Sequence, residues 1–133
     1  MKVLAIDYGL KRVGIALGDT ELKIAVPKEV VPNDGNLLKR IKELVTQHRI
    51  SKIVVGLPLT PSGKEGERAK LVREFVRDLK EHVCDREVIL WDERYTTLEA
   101  KERLKSSANK KRNREILDAI SAQIILEEFL TSS

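Results

Sequence analysis

Apolar residues along this chain follow two spacings, and the change from one spacing to the other outlines the fold. Short apolar runs and every-second-residue patterns predict strands, whereas apolar residues three and four positions apart predict helices. The first pattern predicts five strands, near residues 3–6, 13–17, 22–31, 53–55 and 88–91. The second predicts helices near residues 37–45, 69–83 and 114–129, and a capping box at Thr96 and Glu99 predicts a short one near 96–104. The first three predicted strands follow one another directly, and the later strands alternate with helices. This order indicates an α/β fold.

The order of the strands follows from how they are connected. The turn Tyr8-Gly9-Leu10-Lys11 is too short for a crossover, so the first two strands are predicted to be antiparallel. Helical crossovers are right-handed, which makes the first, fourth and fifth strands parallel. Pro27 cannot donate a ladder hydrogen bond and therefore places the third strand at an edge. We expect a five-stranded mixed sheet in the order 3-2-1-4-5, flanked by helices, in a single domain over residues 1–133.

The composition narrows the class of protein. No apolar run approaches the length of a membrane span, and Asp7 breaks the N-terminal apolar run, which fits a buried strand better than a signal peptide. Cys84 is the single cysteine, which excludes a disulfide framework and a thiolate metal cluster, and we expect it in the core. The sequence therefore predicts a cytoplasmic protein with no membrane partner.

The net charge of +4 is distributed unevenly. Residues 101–114 contain one acid, Glu102, and seven basic residues, a net charge of +6, so the remaining residues carry −2. A local cationic segment suits contact with a phosphate backbone, because each neutralised phosphate releases a condensed counterion. A solvated loop without a partner explains the charge equally well, and Ser106, Ser107 and Asn109 favour a mobile loop. The basic residues are Lys101, Arg103, Lys105, Lys110, Lys111, Arg112 and Arg114.

Two carboxylates fall at the ends of predicted strands. Asp7 ends the first strand, where burial makes ionisation costly unless a cation or several hydrogen-bond donors are near. Glu93 follows the fifth strand, so both acids lie at the carboxyl edge, where open α/β sheets place their ligands. The fourth strand separates the two acid-bearing strands by about 10 Å. That strand is predicted to end at Gly56, which has no side chain to fill the gap.

A third carboxylate, Asp118, projects from the margin of the apolar face of the last predicted helix. Small Ser121 and Ala122 one turn later allow that helix to approach the sheet closely. Three carboxylates without a His or Cys partner favour Mg²⁺ or Mn²⁺ over zinc, and paired ions of this kind hydrolyse phosphodiester bonds. Structural interpretations also exist, with Asp7 as a turn former and Asp118 as the ion-pair partner of Arg114.

Four segments resemble the successive motifs of the YqgF/RuvX family. They read Asp-Tyr-Gly-Leu-Lys-Arg-Val-Gly-Ile-Ala at 7–16, Val-Gly-Leu-Pro-Leu at 55–59, Asp-Glu-Arg-Tyr-Thr-Thr at 92–97 and Asp-Ala-Ile-Ser-Ala at 118–122. The likeness covers essentially the whole chain, although Ser121 stands where the family usually has alanine. It implies a ribonuclease H-like fold, with Asp7, Glu93 and Asp118 as metal-binding catalytic residues. Members of that family are described both as Holliday junction resolvases and as nucleases acting on pre-16S rRNA.

Several other side chains are candidates for nucleic-acid binding. Lys11 and Arg12 flank the acids and suit phosphate oxygens, although surface ion pairs explain them equally well. Arg94 is the stronger candidate because it is adjacent to Glu93, and the ring of Tyr95 suits stacking on a base. Aromatic residues make up 4% of the chain, too few for a platform that reads single-stranded sequence, so shape or a partner is expected to select the cleavage site. The full set is Lys11, Arg12, Arg94, Tyr95, Lys110, Lys111, Arg112 and Arg114.

The sequence leaves the substrate open. The first hypothesis is an endonuclease, acting on pre-16S rRNA 5′ ends in ribosomal precursor particles or on branched DNA as a junction resolvase. Junction resolution would favour a two-fold homodimer, whereas end trimming requires none. A second hypothesis is a nucleic-acid-binding module without cleavage, which does not explain why three acids are kept at a desolvation cost. A third is the first phosphate loop of a sugar-kinase or actin-like nucleotide fold, which needs two such domains and a longer chain.

Overall fold

The fold is described by a computed structural model over residues 1–60, 62–93 and 110–132, with the side chains of residues 110–116 excepted. The strands are β1 (Lys2–Tyr8), β2 (Arg12–Asp19), β3 (Ile24–Pro32), β4 (Lys52–Pro58) and β5 (Glu87–Glu93). The helices are α1 (Leu37–Gln47), α2 (Glu67–His82) and α3 (Lys110–Ser132). All five predicted strands and three of the four predicted helices are present. The helix predicted near 96–104 lies outside the described residues.

The sheet has the predicted order, β3-β2-β1-β4-β5. β1 and β2 are antiparallel and joined by a tight turn, whereas β1, β4 and β5 are parallel and joined through helices. β3 pairs with β2 alone among the described residues, as the position of Pro27 predicts. The register between β2 and β3 shifts at Ile15 and Ala16, opposite the Pro27 region, so the sheet absorbs the proline with a bulge at its edge.

Two strands extend further toward the carboxyl edge than the hydrophobic pattern predicts. β4 does not stop at Gly56 but continues to Pro58, and β5 continues to Glu93. The reason is that residues 56–58 pair in parallel register with residues 91–93, and this pairing outweighs the weak strand propensity of glycine and proline. Glu93 is therefore the last residue of a strand, so the alternation of the strand sets the direction of its side chain.

The last helix begins earlier than predicted. α3 starts at Lys110 rather than near Arg114, so the end of the basic segment is helical instead of forming a loop. Lysine and arginine are good helix formers, and a helix anchored on the sheet extends readily into them. The rest of that segment, residues 101–109, lies outside the described residues. Within the described ranges, no helix has both the length and the apolar character needed to cross a membrane.

Strand alternation divides the core into two layers, one on each face of the sheet. Leu4 and Ile6 of β1 face the layer covered by α1 and α2, together with Ile41, Leu44, Ile53, Val55, Val72 and Leu79. Val3 and Ala5 face the other layer, which α3 covers with Ala122, Ile125, Leu126, Phe129 and Leu130. Both faces of β1 and β4 are thus buried, which accounts for their continuous apolar runs.

The contact between α3 and β2 is a backbone contact. A Cβ atom on Gly14 would overlap the carbonyl oxygen of Asp118, and one on Gly18 would lie 2.7 Å from Cδ2 of Leu126. Ser121 and Ala122 are 1% and 0% exposed, so small residues line the helix where it meets the sheet, as predicted. The two glycines show that α3 runs along β2 with its Asp118 end at the carboxyl edge of β1.

The lone cysteine does not lie in the core. The sequence analysis places Cys84 inside, but its side chain is exposed. The chain turns directly after α2, and at this turn Val83 enters the core with 3% exposure, which leaves the next residue facing solvent. The core prediction was wrong because the local backbone sets the direction of a side chain in a turn, whatever the polarity of that side chain.

We expect replacement of Gly14 by alanine to destabilise the fold by at least about 2 kcal/mol, because the new methyl group collides with helix backbone that no rotamer change can move away. Chemical denaturation of the purified variant measures this loss. Gly35→Ala is the matched control, since a Cβ there meets nothing within 4 Å. Equal stabilities of the two variants would contradict the close approach of α3 to β2.

Candidate active site

Asp7 and Glu93 lie on the same face of the sheet as well as at the same edge. Asp7 follows Val3 and Ala5 in the alternation of β1, so it faces the layer that α3 covers. Glu93 follows Ile89 and Trp91, which contact the same layer. The sequence analysis places the two acids at one edge; the registers add that their side chains lie on one side of it.

Gly56 lies between the two acid-bearing strands and leaves room for a carboxylate. A Cβ atom on Gly56 would lie 2.8 Å from Oε2 of Glu93 and 2.6 Å from Cδ1 of Ile125. The carboxylate of Glu93 therefore lies over β4, displaced from its own strand toward the strand that carries Asp7. β5 and β1 are about 10 Å apart because β4 lies between them. The carboxylate of Glu93 therefore lies closer to β1 than the strand that carries it.

Asp118 reaches the same edge from α3. Its backbone contacts Gly14, and Gly14 is the antiparallel partner of Asp7 in the β1–β2 ladder. Its side chain is 21% exposed, and its Oδ2 accepts a hydrogen bond of 2.9 Å from Nε of Arg12. The three acids thus occupy successive positions along the carboxyl edge, over β4, on β1 and above β2.

Arg12 forms an ion pair with Asp118. The sequence analysis left phosphate binding and a surface ion pair equally open for this residue, and the structure places its guanidinium on the carboxylate of Asp118. The side chain of Arg12 is 36% exposed, so part of it also faces solvent. The alternative partner of Asp118, Arg114, has a side chain outside the described part of the chain.

The Arg12–Asp118 contact and the role of Gly14 are the two features of this site that sequence reasoning missed. Part of a signal for Gly14 was present, because the tight turn after Tyr8 returns the second predicted strand alongside Asp7, within a few residues of Gly14. A glycine opposite a candidate catalytic acid indicates close approach of another element. No comparable signal links Arg12 to Asp118, which are 106 positions apart.

The donor set fits a hard divalent cation, although the side chains do not form a closed cluster. Asp7 is 8% exposed, and a carboxylate at this depth is stabilised by a cation or by several donors. All three candidate ligands offer oxygen, which Mg²⁺ and Mn²⁺ prefer. Within the described residues, however, no three His, Cys, Asp or Glu side chains are grouped closely enough to hold one metal ion as they stand.

The remaining predicted site residues differ in how far the structure describes them. Lys11 is exposed in the β1–β2 turn and forms no ion pair within the described residues. Arg94 and Tyr95 directly follow β5 and lie outside the described residues. Four more basic residues belong to the first turns of α3, with only their backbone described: Lys110, Lys111, Arg112 and Arg114.

The start of α3 extends past the edge of the sheet. Asp118 contacts β2 close to that edge, and eight helical residues precede it. At a rise of about 1.5 Å per residue, these residues reach about 12 Å beyond Asp118. The C-terminal part of the basic segment is therefore carried by the same helix as the third acid, in the turns that precede Asp118.

The loop after β4 borders the site and is fastened to α2. Leu59 donates its backbone N–H to the carbonyl of Glu93 at 3.4 Å and bridges to Glu65. Arg73 of α2 donates two hydrogen bonds to the carboxylate of Glu65, and these bonds hold the pKa of Glu65 below its ordinary value. The loop between β4 and α2 is thus held next to Glu93 by the hydrogen bond of Leu59 and by the ion pair between Glu65 and Arg73.

A double-mutant cycle with Arg12→Ala and Asp118→Ala should give a coupling of about 0.5–1 kcal/mol in unfolding free energy, as expected for a partly exposed ion pair. Urea denaturation of the wild type, both single variants and the double variant measures it. The same cycle with Asp92→Ala in place of Asp118→Ala should be additive, because no ion pair joins Asp92 to Arg12. Additivity in both cycles would contradict the contact.

Comparison with known sequences identifies relatives along the whole chain. The family model described as "RuvX: Holliday junction resolvase" matches residues 1–132. A relative from Sulfurihydrogenibium sp., named "Putative pre-16S rRNA nuclease", is 42% identical over 97% of this chain and 89% of its own length. A relative of the same name from Bacillus cytotoxicus is 36% identical, with 99% of each chain covered.

Comparison with solved structures identifies the fold. T. thermophilus RuvC in complex with a Holliday junction substrate aligns with a TM-score of 0.60 at 15% identity, over 99% of this chain and 94% of RuvC. The Fowlpox virus resolvase in complex with Holliday junction DNA aligns with a TM-score of 0.55 at 12% identity, over 98% and 99%. The ribonuclease H-like fold predicted from the sequence is confirmed. With the family match over nearly its whole length, the chain belongs to the RuvX family and is a nuclease, a hydrolase of phosphodiester bonds.

Proposed function

We propose that this chain is a metal-dependent endonuclease that matures the 5′ end of pre-16S rRNA in ribosomal precursor particles, with Asp7, Glu93 and Asp118 as its catalytic metal ligands. The observation that carries the catalytic part is the Glu93 carboxylate over Gly56, extended toward the strand of buried Asp7. The choice of substrate rests on the names of the relatives. A cytoplasmic location and a single-domain organisation stay predictions from the sequence.

The three acids have distinct tasks in this proposal. Asp7 is held by a central strand and would supply the most rigid oxygen ligand, while Glu93 extends toward that strand over β4. Asp118 contributes from α3, with Arg12 fixing one of its oxygens. Mg²⁺ or Mn²⁺ bound by these oxygens would supply an activated water and stabilise the leaving oxygen.

The proposed nucleic-acid surface surrounds this edge. Lys11 lies in the turn next to Asp7, and Arg94 and Tyr95 follow Glu93 in sequence. The basic start of α3 projects past the edge, where it suits phosphates on one side of the scissile bond. Phosphate contacts of this kind position the substrate without reading its sequence, which leaves the choice of cleavage site to shape.

Holliday junction resolution is the second candidate function. It is favoured by the description of the matching family, whereas the RuvC and Fowlpox virus resolvases share only the fold at their low identities. A resolvase cuts two strands symmetrically, so this candidate favours a two-fold homodimer with two copies of the site. Cleavage of a four-way DNA junction in preference to pre-16S rRNA, by a dimer in solution, would replace the rRNA proposal with this one.

The variants Asp7→Asn, Glu93→Gln and Asp118→Asn should each lower Mg²⁺-dependent cleavage by more than about 100-fold, the upper end of losses typical for partners that only support a metal ligand. A gel assay on a pre-16S rRNA fragment with an extended 5′ end measures cleavage. Asp92→Asn is the matched control, because Asp92 neighbours Glu93 but is exposed and points to the opposite face. Retained cleavage in all three acid variants would overturn the catalytic assignment.

Gly56→Ala should preserve the fold but disable the site. The added methyl group meets the flexible ends of Glu93 and Ile125, so we expect a stability loss of about 1–2 kcal/mol. Displacing the carboxylate by about 1 Å should lower cleavage about 100-fold. Gly66→Ala in the neighbouring loop, where a Cβ meets nothing within 4 Å, serves as the control. Normal cleavage by a folded Gly56→Ala protein would show that the position of Glu93 over β4 has no catalytic importance.

A further inference from the structure

An apolar side chain stands exposed at the edge that carries the acids. Leu10 is the tip of the turn between β1 and β2, and it is 66% exposed. It follows Asp7 by three positions and precedes Arg12, the partner of Asp118, by two. A chain segment of three residues spans at most about 11 Å, so the backbone of Leu10 lies within that distance of Asp7, one of the candidate catalytic acids.

The turn that presents Leu10 is fixed on both sides. The side-chain amide of Asn33 donates a hydrogen bond of 2.7 Å to the carbonyl of Gly9, and the backbone N–H of Asn33 donates one of 2.9 Å to the carbonyl of Lys11. Tyr8 is held against Phe75 with its ring centroid 4.5 Å away. Leu10 therefore projects from a backbone that is anchored before and after it, which lowers the entropy lost when it contacts a partner.

A single exposed leucine is ordinary on protein surfaces, so exposure alone implies no role. Leu10 differs from an ordinary exposed leucine in its position beside the candidate active site. Its neighbour Lys11 supplies a cation free of ion pairs within the described residues, and the turn lies beside three carboxylates that face the same edge. An apolar side chain beside a cation matches an unstacked base beside its phosphate, and proteins insert leucine between bases in this way.

We propose that Leu10 is a wedge that packs against the last stacked base where a double-stranded segment of the RNA substrate opens into a single strand. Lys11 then contacts the adjacent phosphate, and the scissile bond is placed at a fixed distance from the wedge. This gives the chain, which has few aromatic residues, a means of selecting a cleavage site by shape. The inference rests on the proposed action on structured nucleic acid.

The experiment compares Leu10→Ala with Leu22→Ala. Leu22 lies in the other hairpin turn, at the opposite end of the sheet, and is 69% exposed, so both variants remove one exposed leucine from a turn. The probe is an RNA stem with a single-stranded 5′ extension and 2-aminopurine at the last base pair of the stem. Ca²⁺ replaces Mg²⁺ so that binding is measured without cleavage.

Wild-type protein and Leu22→Ala should raise the 2-aminopurine fluorescence on binding, because the wedge unstacks the labelled base. Leu10→Ala should lose that rise and bind about tenfold more weakly, in line with the cost of removing one base-stacking contact. Leu10→Met should restore both signals, since it keeps the apolar volume. A Leu10→Ala protein with wild-type fluorescence change and affinity would overturn the wedge and leave the nuclease proposal intact. Absence of binding to any RNA by the wild type would overturn both.

Discussion

The site depends on the contact between α3 and the backbone of β2. Gly14 has no Cβ, and the carbonyl of Asp118 occupies the space where one would lie. Because Gly14 pairs with Asp7, this one contact fixes how far along the sheet the helix sits and brings its carboxylate beside the central strand. It also sets the position of Arg12, two residues earlier in β2, within hydrogen-bond distance of that carboxylate.

This arrangement gathers like charges at one edge, and the chain offsets them unequally. Asp7 is nearly buried, so its desolvation costs several times what a partly exposed ion pair contributes. The Arg12–Asp118 pair is partly exposed, so its contribution to stability is small, and it also orients the Asp118 carboxylate. Four further basic residues belong to the start of α3, the segment to which the proposed function assigns contact with phosphates.

The sheet was predictable because its order depends on local features of the sequence. A four-residue turn, one edge proline and the right-handed crossover rule suffice to give 3-2-1-4-5. The two acids on strand ends were predictable for the same reason, since strand alternation and strand direction place them. Asp118 was placed correctly on the sheet side of its helix, but its partner was not, because helical spacing fixes a face and leaves open where along the sheet the helix lies. The prediction for Cys84 was wrong for a related reason. Cys84 lies in a turn, where the backbone geometry sets the direction of the side chain.

The placement of the functional elements also bears on how such a small domain can choose a cleavage site. The acids lie in a row over β4, β1 and β2, the anchored β1–β2 turn lies at one side of that row, and the basic start of α3 projects past it. In the proposed mode of binding, these elements fix how far the phosphates on α3 lie from the side chain of Leu10 and from the acids. On this proposal, a substrate is selected by where its helix ends relative to its backbone, a geometric property that folded RNA and branched DNA share.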